Sequence, residues 1–257
     1  MIKELKFHIS ELDSMKKYPS KLFYNGNLEL LKKQKISIVG TRRPSLYTKQ
    51  YSAYLSRELS KQGICIVSGG AMGVDAIAHK NAKEENTIAV MANGLDIRYP
   101  QVNKSLIESI EKNGLVLSQF EAGFRATPWS FVVRNELVVA LGDILIVTEA
   151  DIKSGSMRSV EFALEMQKPI YVLPHRIGES EGTNYLIKNN LAKVIFDMDA
   201  FVASFGLSKE KPKDELLEFC KKNPTLAAAL YAFGDKVYEY ELKGYIDVKN
   251  NIITILR

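Results

Sequence analysis

Two short apolar runs near the start of the chain each end in a glycine turn and are followed by apolar residues at helical spacing. The first run, residues 36–39, ends at Gly40, and residues 46–59 then have the apolar spacing of a helix. The second run, residues 64–67, ends at residues 68–70, and helical spacing follows again. Strand, glycine turn and helix in succession predict parallel strands joined by crossover helices. Ligands of such sheets bind beyond the carboxyl ends of the strands, so we expect a crevice at these two turns.

The same alternation of apolar runs and helical spacing continues as far as residue 196. Further strands are predicted at Thr87–Met91, Leu115–Leu117, Ile144–Thr148, Ile170–Leu173 and Val194–Phe196, with helices around Leu106–Ile110, Trp129–Leu141, Met157–Met166 and Thr183–Asn189. This number of strand–helix units exceeds a minimal nucleotide-binding half. We therefore expect an α/β fold with an extended, doubly wound and mostly parallel sheet.

The chain is predicted to have three parts. Residues 1–35 form a lead-in segment, with an amphipathic helix near residues 2–12 and a turn at Tyr18-Pro19. Residues 36–206 form the main α/β domain. The charged, proline-containing stretch KEKPKDE then marks the start of a small module at residues 207–257.

The C-terminal module has the pattern of a small winged-helix unit. Two helical segments, Leu216–Cys220 and Leu226–Phe233, precede two β-like runs within Lys236–Leu256. Winged helices often bind DNA, but this module carries nine Lys and Arg residues against eight Asp and Glu residues. Its near neutrality argues against a strong surface for duplex binding.

The composition is that of a globular chain with one large domain and a small one. Of the 257 residues, 46% are hydrophobic and 25% are charged. No apolar run in the sequence approaches the roughly 20 residues of a membrane helix, and the first residues are unlike a signal peptide, so we expect a cytoplasmic protein without membrane contact. Cys65 and Cys220 have no spacing for a disulfide or a metal site, so we expect two reduced, buried thiols.

The positive charge is concentrated in the first part of the chain. The whole chain has 35 Lys and Arg residues against 30 Asp and Glu residues, a formal net charge of +5. Residues 1–60 hold twelve basic and five acidic residues, a net of +7, so the remainder has a net charge of −2. A basic portion beside the first glycine turn suits a protein that binds a phosphate backbone. The alternative is a charged face that only keeps the protein in solution.

Three turns have the chemistry of anion-binding sites. Glycine lets backbone N–H groups approach a ligand, and the start of a following helix favours negative charge. The candidate residues are Gly40, Thr41 and Arg42 in the first turn, Ser68, Gly69 and Gly70 in the second, and Lys153, Ser154, Gly155 and Ser156 in the third. The third turn is explained equally well as a cap for the next helix. The first two turns fit neither GxxxxGK(S/T) nor GxGxxG, which weakens the case for a nucleotide-binding enzyme.

Cationic and aromatic side chains near these turns favour single-stranded nucleic acid as the ligand. Arg42 offers a guanidinium fork for phosphate oxygens or for stacking on a base, whereas Arg43 is more readily explained as a solvated side chain. Phe131 begins a helix and could stack on a base, while Arg134, with Asn135 beside it, could reach a phosphate. A place in the protein core explains Phe131 nearly as well.

Asp75 and His79 have a spacing that suits catalysis. They lie four residues apart on one predicted helix, as two ligands or a base and its orienting acid would. No third partner is identifiable, so Asp75 is better explained as complementing the helix N-terminus. His8 and His175 are isolated and lack the pattern of a metal site. We therefore expect no catalytic residues, no metal and no cofactor.

Six motifs carry a resemblance to a known family. They are VGTRRPSLY, IVSGGAMGVDAIAH, NGLDIRYPQVN, SFVVRNELV, KSGSM and GTNYLI. Their order, from about Tyr18 to Phe196, resembles the DprA/Smf family of DNA-processing proteins. The resemblance implies an extended Rossmann-like domain against which the lead-in segment packs, a variable C-terminal module, and a third turn in the same crevice as the first. It also implies a homodimer that binds single-stranded DNA, protects incoming DNA and loads the recombinase RecA during natural transformation.

The chain departs from the family's pattern around Phe131. Val132 replaces a commonly seen proline, and Glu136 replaces a commonly seen arginine. Many members carry a basic residue before the aromatic, where this chain has Pro128-Trp129, and Arg125 is a candidate replacement.

A nucleotide-processing hydrolase is the alternative function. Related Rossmann-like folds include hydrolases that cleave nucleotides, and SGGAMGVD supplies the glycines of a phosphate loop. The aspartate of this segment lies inside the predicted helix start, however, and a catalytic set is not visible in the sequence. We therefore rank binding without catalysis above hydrolysis.

Overall fold

The computed structural model describes residues 2–205, 215–222, 224–242 and 245–255. The chain divides into two compact units, Met1–Gly206 and Leu207–Arg257. Within these described ranges, each helix is too short or too polar to cross a lipid bilayer.

The first unit combines nine strands with seven α-helices in the part that is described. The strands are β1 (Lys3–Glu4), β2 (Phe23–Gly26), β3 (Lys35–Val39), β4 (Cys65–Gly69), β5 (Thr87–Val90), β6 (Leu115–Ser118), β7 (Ile144–Val147), β8 (Ile170–Val172) and β9 (Lys193–Val194). The helices are α1 (Leu46–Lys61), α2 (Val74–Asn81), α3 (Lys104–Asn113), α4 (Pro128–Leu141), α5 (Gly155–Glu165), α6 (Glu181–Lys188) and α7 (Met198–Ala203). Short 3₁₀ helices lie at Ser10–Ser14, Leu28–Lys32, Glu84–Asn86 and Gln101–Asn103.

All nine strands form one sheet, in the order β1-β2-β6-β5-β4-β3-β7-β8-β9. Neighbouring strands from β6 to β9 are parallel, and β1 and β2 are antiparallel to their neighbours. The chain extends from β3 in one direction through β4, β5 and β6, and in the other through β7, β8 and β9. The strand order therefore reverses between β3 and β7, where an open sheet has its ligand crevice. The predicted α/β fold with an extended, doubly wound and mostly parallel sheet is confirmed.

Both faces of the central strands are buried, which explains their continuous apolar sequences. Ile36 and Ile38 of β3 belong to one apolar cluster, together with Leu55 of α1. Val39 belongs to a second cluster, together with Leu137 of α4. Because alternate residues of a strand point to opposite faces and helices cover both faces, both sets of positions are largely apolar, and the buried hydroxyl of Ser37 donates to the carbonyl of Val138.

The N-terminal segment does not form the predicted helix over residues 2–12. Residues 3–4 instead form β1, which pairs with β2, and the 3₁₀ helix at Ser10–Ser14 follows. Leu12 is fully buried, so the apolar spacing of this segment reflects anchoring on the main core. β2 has no counterpart among the predicted strands, and it pairs with β6. This pairing covers the backbone groups of an edge strand, an effect of tertiary structure that local spacing does not reveal.

The second unit contains three helices and a two-stranded hairpin in its described part. They are α8 (Glu215–Cys220), α9 (Leu226–Phe233), α10 (Lys236–Leu242), β10 (Ile246–Lys249) and β11 (Ile252–Ile255). The first β-like run, predicted over residues 237–248, is wrong as far as residue 242, where α10 lies, whereas β10 begins within it at Ile246. Val237 and Tyr240, three residues apart, both pack into this unit's core, which is helical spacing. The winged-helix assignment stays a prediction, and residues 209–214 of the charged stretch lie outside the described residues.

Candidate nucleic-acid interface

A crevice of about 600 Å³ lies where the strand order reverses. Its lining comes from β3 and β4 with the turns after them, from α2 and α4, and from α5 with the residue before it. The lining residues are Val39, Gly40, Thr41, Arg42, Gly69, Ala71, Asp75, Pro128, Phe131, Val132, Arg134, Asn135, Val138, Ser154, Gly155, Ser156 and Ser159. A smaller pocket of about 30 Å³ shares Arg42, Ala71, Phe131 and Arg134 with the crevice. Ten of the predicted site residues line the crevice and Gly70 lines the smaller pocket, whereas Ser68 and Lys153 line neither.

The first turn is held in place by hydrogen bonds to the neighbouring strand and helix. The backbone N–H of Thr41 donates to the carbonyl of Glu149 (2.9 Å), and the Thr41 carbonyl accepts from the N–H of Val74 (3.2 Å). A Cβ at Gly40 would lie 2.6 Å from a methyl carbon of Val74, so glycine is needed here for the close approach of α2. The N–H of Thr41 is therefore used by the protein, and Arg42 is the residue of this turn that is free to meet a ligand.

The second turn packs closely against two charged side chains, those of Asp75 and Arg134. A Cβ at Gly69 would lie 2.5 Å from Oδ2 of Asp75 and closer still to the guanidinium of Arg134. The hydroxyl of Ser68 is fully buried and donates to the carbonyl of Ile38 (2.6 Å), so it stabilises the sheet rather than facing the crevice. The glycine at 69 thus makes room for an acid and an arginine, in addition to any ligand.

Arg134 is a buried cation at the base of the crevice. Its Nη1 donates to the carbonyl of Val90 (3.0 Å) and its Nε donates to Oδ1 of Asn135 (3.0 Å). Burial raises the pKa of Asp75, and the positive charge of Arg134 opposes that rise. Burial also lowers the pKa of Arg134, opposed by Asp75, but an arginine stays protonated in proteins. Nη2 of Arg134 has no hydrogen-bond partner within the described residues, which leaves its two N–H groups for a ligand.

Arg42 and Phe131 lie together at the boundary between the crevice and the smaller pocket. The Cζ atom of Arg42 stands 5.2 Å from the centroid of the Phe131 ring, within the range of a cation–π contact. The ring of Tyr99 lies on the pocket side, with its centroid 6.3 Å from that of Phe131. Phe131 is partly exposed, so the structure places it in the lining of the site and not in the closed core.

The third turn both caps a helix and lines the crevice. The Ser154 side chain accepts from the N–H of Met157 at the start of α5 (3.4 Å), as a helix cap does. Nδ2 of Asn135 donates to the carbonyl of Gly155 (3.2 Å), which ties α4 to this turn. Lys153 is exposed and lies outside the lining residues, so its predicted contact with the ligand has no support in the geometry.

His79 links the second turn to β5 through its two ring nitrogens. Its Nε2 donates to the carbonyl of Gly69 (2.9 Å), and its Nδ1 accepts from the hydroxyl of Thr87 (2.7 Å). Burial lowers the pKa of His79 to about 4, so the ring is neutral near pH 7. In the ranges that the structure describes, no group of three or more His, Cys, Asp or Glu side chains is arranged to hold a metal ion.

Seven lining residues of the smaller pocket are absent from the sequence-predicted set: Ala71, Met72, Met91, Ala92, Asn93, Tyr99 and Pro100. The crevice adds Val39, Asp75, Pro128, Val132, Val138 and Ser159. Met91 directly follows β5, and Tyr99 lies in the loop that continues from it. The rule that ligands lie beyond the carboxyl ends of parallel strands, which selects the turns after β3 and β4, applies to this loop as well.

Comparisons of sequence identify relatives of this chain. Residues 3–206 match the family described as DNA recombination-mediator protein A. Protein Smf from Synechocystis sp. is 36% identical over 196 residues, which cover 73% of this chain and 49% of that protein. DNA processing protein DprA from Streptococcus pneumoniae is 36% identical over 191 residues, which cover 73% of this chain and 67% of that protein. The chain thus spans about half to two thirds of the length of these relatives.

Solved structures agree with the sequence match. DNA processing protein A from Helicobacter pylori, described for its single-stranded DNA binding mode, superposes with a TM-score of 0.78 and 44% identity over 79% of this chain and 94% of that one. DprA from Streptococcus pneumoniae superposes with a TM-score of 0.73 and 32% identity over 79% of this chain and 74% of that one. With a family match that covers most of its length and two such structural relatives, this chain belongs to the DprA/Smf family of DNA-processing proteins.

Proposed function

We propose that this protein binds single-stranded DNA in the crevice, protects the strand, and delivers it to the recombinase RecA during natural transformation. The observation that carries the proposal is the contact between Arg42 and Phe131. An exposed guanidinium, without an ion-pair partner among the described residues, stands 5.2 Å over an aromatic ring at the mouth of a crevice. This combination presents a phosphate-binding fork and a base-stacking surface side by side.

The charges in the crevice suit a backbone phosphate. Arg42 and Nη2 of Arg134 both offer N–H donors, and guanidinium forks match the geometry of phosphate oxygens. In its ionised form Asp75 offsets one of the two positive charges, which leaves a net charge of about one. A phosphodiester carries one negative charge per nucleotide, so it is neutralised without an excess of either sign.

A single strand suits this site better than a duplex. Stacking on Phe131 or Tyr99 requires a base whose face is open, and the bases of a duplex are stacked on one another. The smaller pocket between these two rings is partly apolar, with Met91 and the backbone of Gly70 in its lining. With a volume of about 30 Å³ the pocket is too small to enclose a base, so a base turned away from the strand would stack across its mouth, against the rings.

The partner and the assembly are inferred from the family. The description of the matching family as a recombination mediator supports delivery of the strand to a recombinase. We propose RecA as that recombinase, a homodimer formed by the first unit, and action in the cytoplasm. Sedimentation tests the dimer, and the rate at which RecA filaments form on a strand bound to this protein tests the delivery.

We further propose that the crevice binds without catalysis. A hydrolase would need a general base with access to the ligand, and His79 is neutral with both ring nitrogens in hydrogen bonds. Asp75 lines the crevice, but it lies close to Arg134, whose charge it balances. A nucleotide-processing hydrolase remains the second candidate, because Asp75 is a carboxylate that faces the same crevice.

Gel-shift titrations with Arg42→Ala test the proposed site, with Arg43→Ala as the matched control. Both residues are exposed, but only Arg42 lines the crevice. Arg42→Ala should weaken binding to single strands of every sequence and flatten the slope of log affinity against log salt by about 0.7. Arg42→Lys should recover part of the affinity, since the ammonium keeps the charge and loses the fork. Arg43→Ala should bind as the wild type does.

Three results would contradict these proposals. A folded Arg42→Ala protein with wild-type affinity and salt slope would remove the crevice from the mechanism. Equal affinity of the wild type for single strands and for duplexes of the same length would remove the preference for open bases. Nucleotide hydrolysis by the wild type, abolished by Asp75→Asn, would favour the second candidate.

A further inference from the structure

Trp129 is an exposed aromatic side chain at the edge of the crevice. It is the single tryptophan of the chain, and 63% of its surface is exposed. Pro128, which precedes it, and Phe131, two residues later, both line the crevice. Consecutive Cα atoms are about 3.8 Å apart, so Trp129 lies next to the crevice lining without belonging to it.

The protein holds the Trp129 ring in place from one side. The ring of Phe120 meets it edge to face, with centroids 5.9 Å apart and an interplanar angle of 72°. Phe120 is itself buried and stacks on Phe124, with centroids 4.4 Å apart. An aromatic ring braced in this way loses little conformational freedom when a ligand packs against its open side, so the entropic cost of binding is small.

An arginine precedes Trp129 by four residues in the sequence. Arg125 is exposed and has no ion-pair partner among the residues that the structure describes. The intervening start of α4 is held by a capping box, in which Thr127 and Ser130 each bond the other's backbone N–H. Trp129 therefore stands at a well-defined helix start, with Arg125 in the loop that leads into it, and a cation followed by an aromatic ring along the chain has the chemistry of a single-strand binding surface.

We propose that Trp129 stacks on a base of the single strand outside the crevice, and that Arg125 contacts a neighbouring phosphate. The inference rests on the proposed function, since the strand must first be held at Arg42. Phe131 inside the lining and Trp129 outside it then contact successive parts of one strand as it leaves the crevice. Oligonucleotides long enough to reach both should bind more tightly than those that fill the crevice alone.

The single tryptophan gives a direct test. Oligo(dT) of increasing length is added to the full-length wild type, while the tryptophan emission and a gel shift are followed on the same samples. Stacking of a base on Trp129 should quench the emission, and the quenching should saturate at the concentration at which the gel shift saturates. The shortest oligonucleotides that bind should leave the emission unchanged.

Variants separate stacking from charge. Trp129→Ala should weaken binding of long oligo(dT) by roughly 5- to 150-fold, the range for the loss of one stacked base, without a change in the salt slope. Trp129→Phe should recover most of the affinity. Arg125→Ala should flatten the salt slope by about 0.7, as the loss of one phosphate contact does. Phe7→Ala is the matched control, because Phe7 is a half-exposed aromatic outside the crevice lining and should bind as the wild type does.

The outcomes distinguish this inference from the function on which it rests. Bound strands with unchanged tryptophan emission, and wild-type affinity of Trp129→Ala, would overturn the inference and leave the crevice site intact. A wild type that binds no single strand in the gel shift would overturn both. If Trp129→Ala alters the oligomeric state in sedimentation and leaves the affinity unchanged, the ring serves a protein contact and the inference is wrong.

Discussion

Replacing Gly69 by alanine perturbs the crevice from beneath its two buried charges. An added Cβ would lie 2.5 Å from Oδ2 of Asp75 and closer still to Nη1 and Cζ of Arg134. Gly69 does not have a positive φ, so the effect comes from this contact and not from backbone strain. Protein interiors are close-packed, and atoms cannot remain at such distances. The guanidinium of Arg134 must move, because it ends the longest and most flexible side chain at this contact.

The expected cost follows from the contacts that Arg134 then loses. Its Nη1 donates to the carbonyl of Val90 (3.0 Å), and a hydrogen bond from a charged donor contributes about 1.5–3 kcal/mol. Forcing an extra methyl group into a packed site adds about 1 kcal/mol. The free energy of unfolding should therefore fall by about 2.5–4 kcal/mol, which lowers the Tm of a unit of this size by about 5–16 °C. The affinity for single-stranded DNA should fall at least about tenfold, because the displaced guanidinium no longer meets the phosphate.

Thermal melting followed by circular dichroism and gel-shift titration measure the two effects on the same preparation. Gly155→Ala is the control, since its Cβ would meet no heavy atom within 4 Å although Gly155 also lines the crevice. Its free energy of unfolding should change by less than about 0.5 kcal/mol. A Gly69→Ala protein with the Tm and the affinity of the wild type would refute the reasoning, because the buried arginine would then be free to move without consequence.

Three further predictions concern acid stability, the C-terminal unit and catalysis. Burial lowers the pKa of His79 to about 4 from its ordinary 6.5, so the unfolded chain binds a proton that the folded protein excludes. The free energy of unfolding should therefore be highest above pH 6.5 and should fall by up to about 3 kcal/mol as the pH falls towards 4. His79→Gln should reduce this fall in thermal melts measured across that pH range. Removing residues 207–257 should leave dimerisation and strand binding largely intact in sedimentation and gel shifts, and a truncated monomer without DNA affinity would contradict this. Purified wild type should release no phosphate from ATP and should not shorten labelled DNA; turnover that disappears in Asp75→Ala would contradict this.

The sequence was sufficient to predict the sheet and the location of the crevice because both depend on local signals. A buried strand that ends at Gly40 or Gly69 and leads into an amphipathic helix is visible in the sequence itself. Ligands bind beyond the carboxyl ends of parallel strands, and this rule locates the crevice. The N-terminal segment had no such signal. Its pairing through β1 and β2 depends on the open edge of β6, a strand about 90 residues further along the chain.

The roles of individual site residues were harder to predict, because they depend on contacts between distant segments. Ser68 and Gly69 fit an anion-binding turn by composition, yet the Ser68 hydroxyl bonds Ile38 and the space above Gly69 is filled by the head of Arg134. Arg134 itself follows Phe131 by three residues, which predicts a shared helix face but not burial beside Asp75. Composition reveals which groups are present near a strand end, whereas their partners are set by the fold.

The buried carboxylate explains how an anion site can be assembled before its ligand arrives. Two guanidinium groups at one crevice repel each other, and burying Arg134 without a compensating charge would be strongly destabilising. In its ionised form Asp75 offsets that cost, and the charge of Arg134 favours this form against the rise in pKa that burial causes. With the pair neutral, Arg42 remains as the surplus positive charge at the surface, held over the ring of Phe131. A phosphate then has to displace only water and one weak cation–π contact, so the crevice can bind a strand without rearranging the core that supports it.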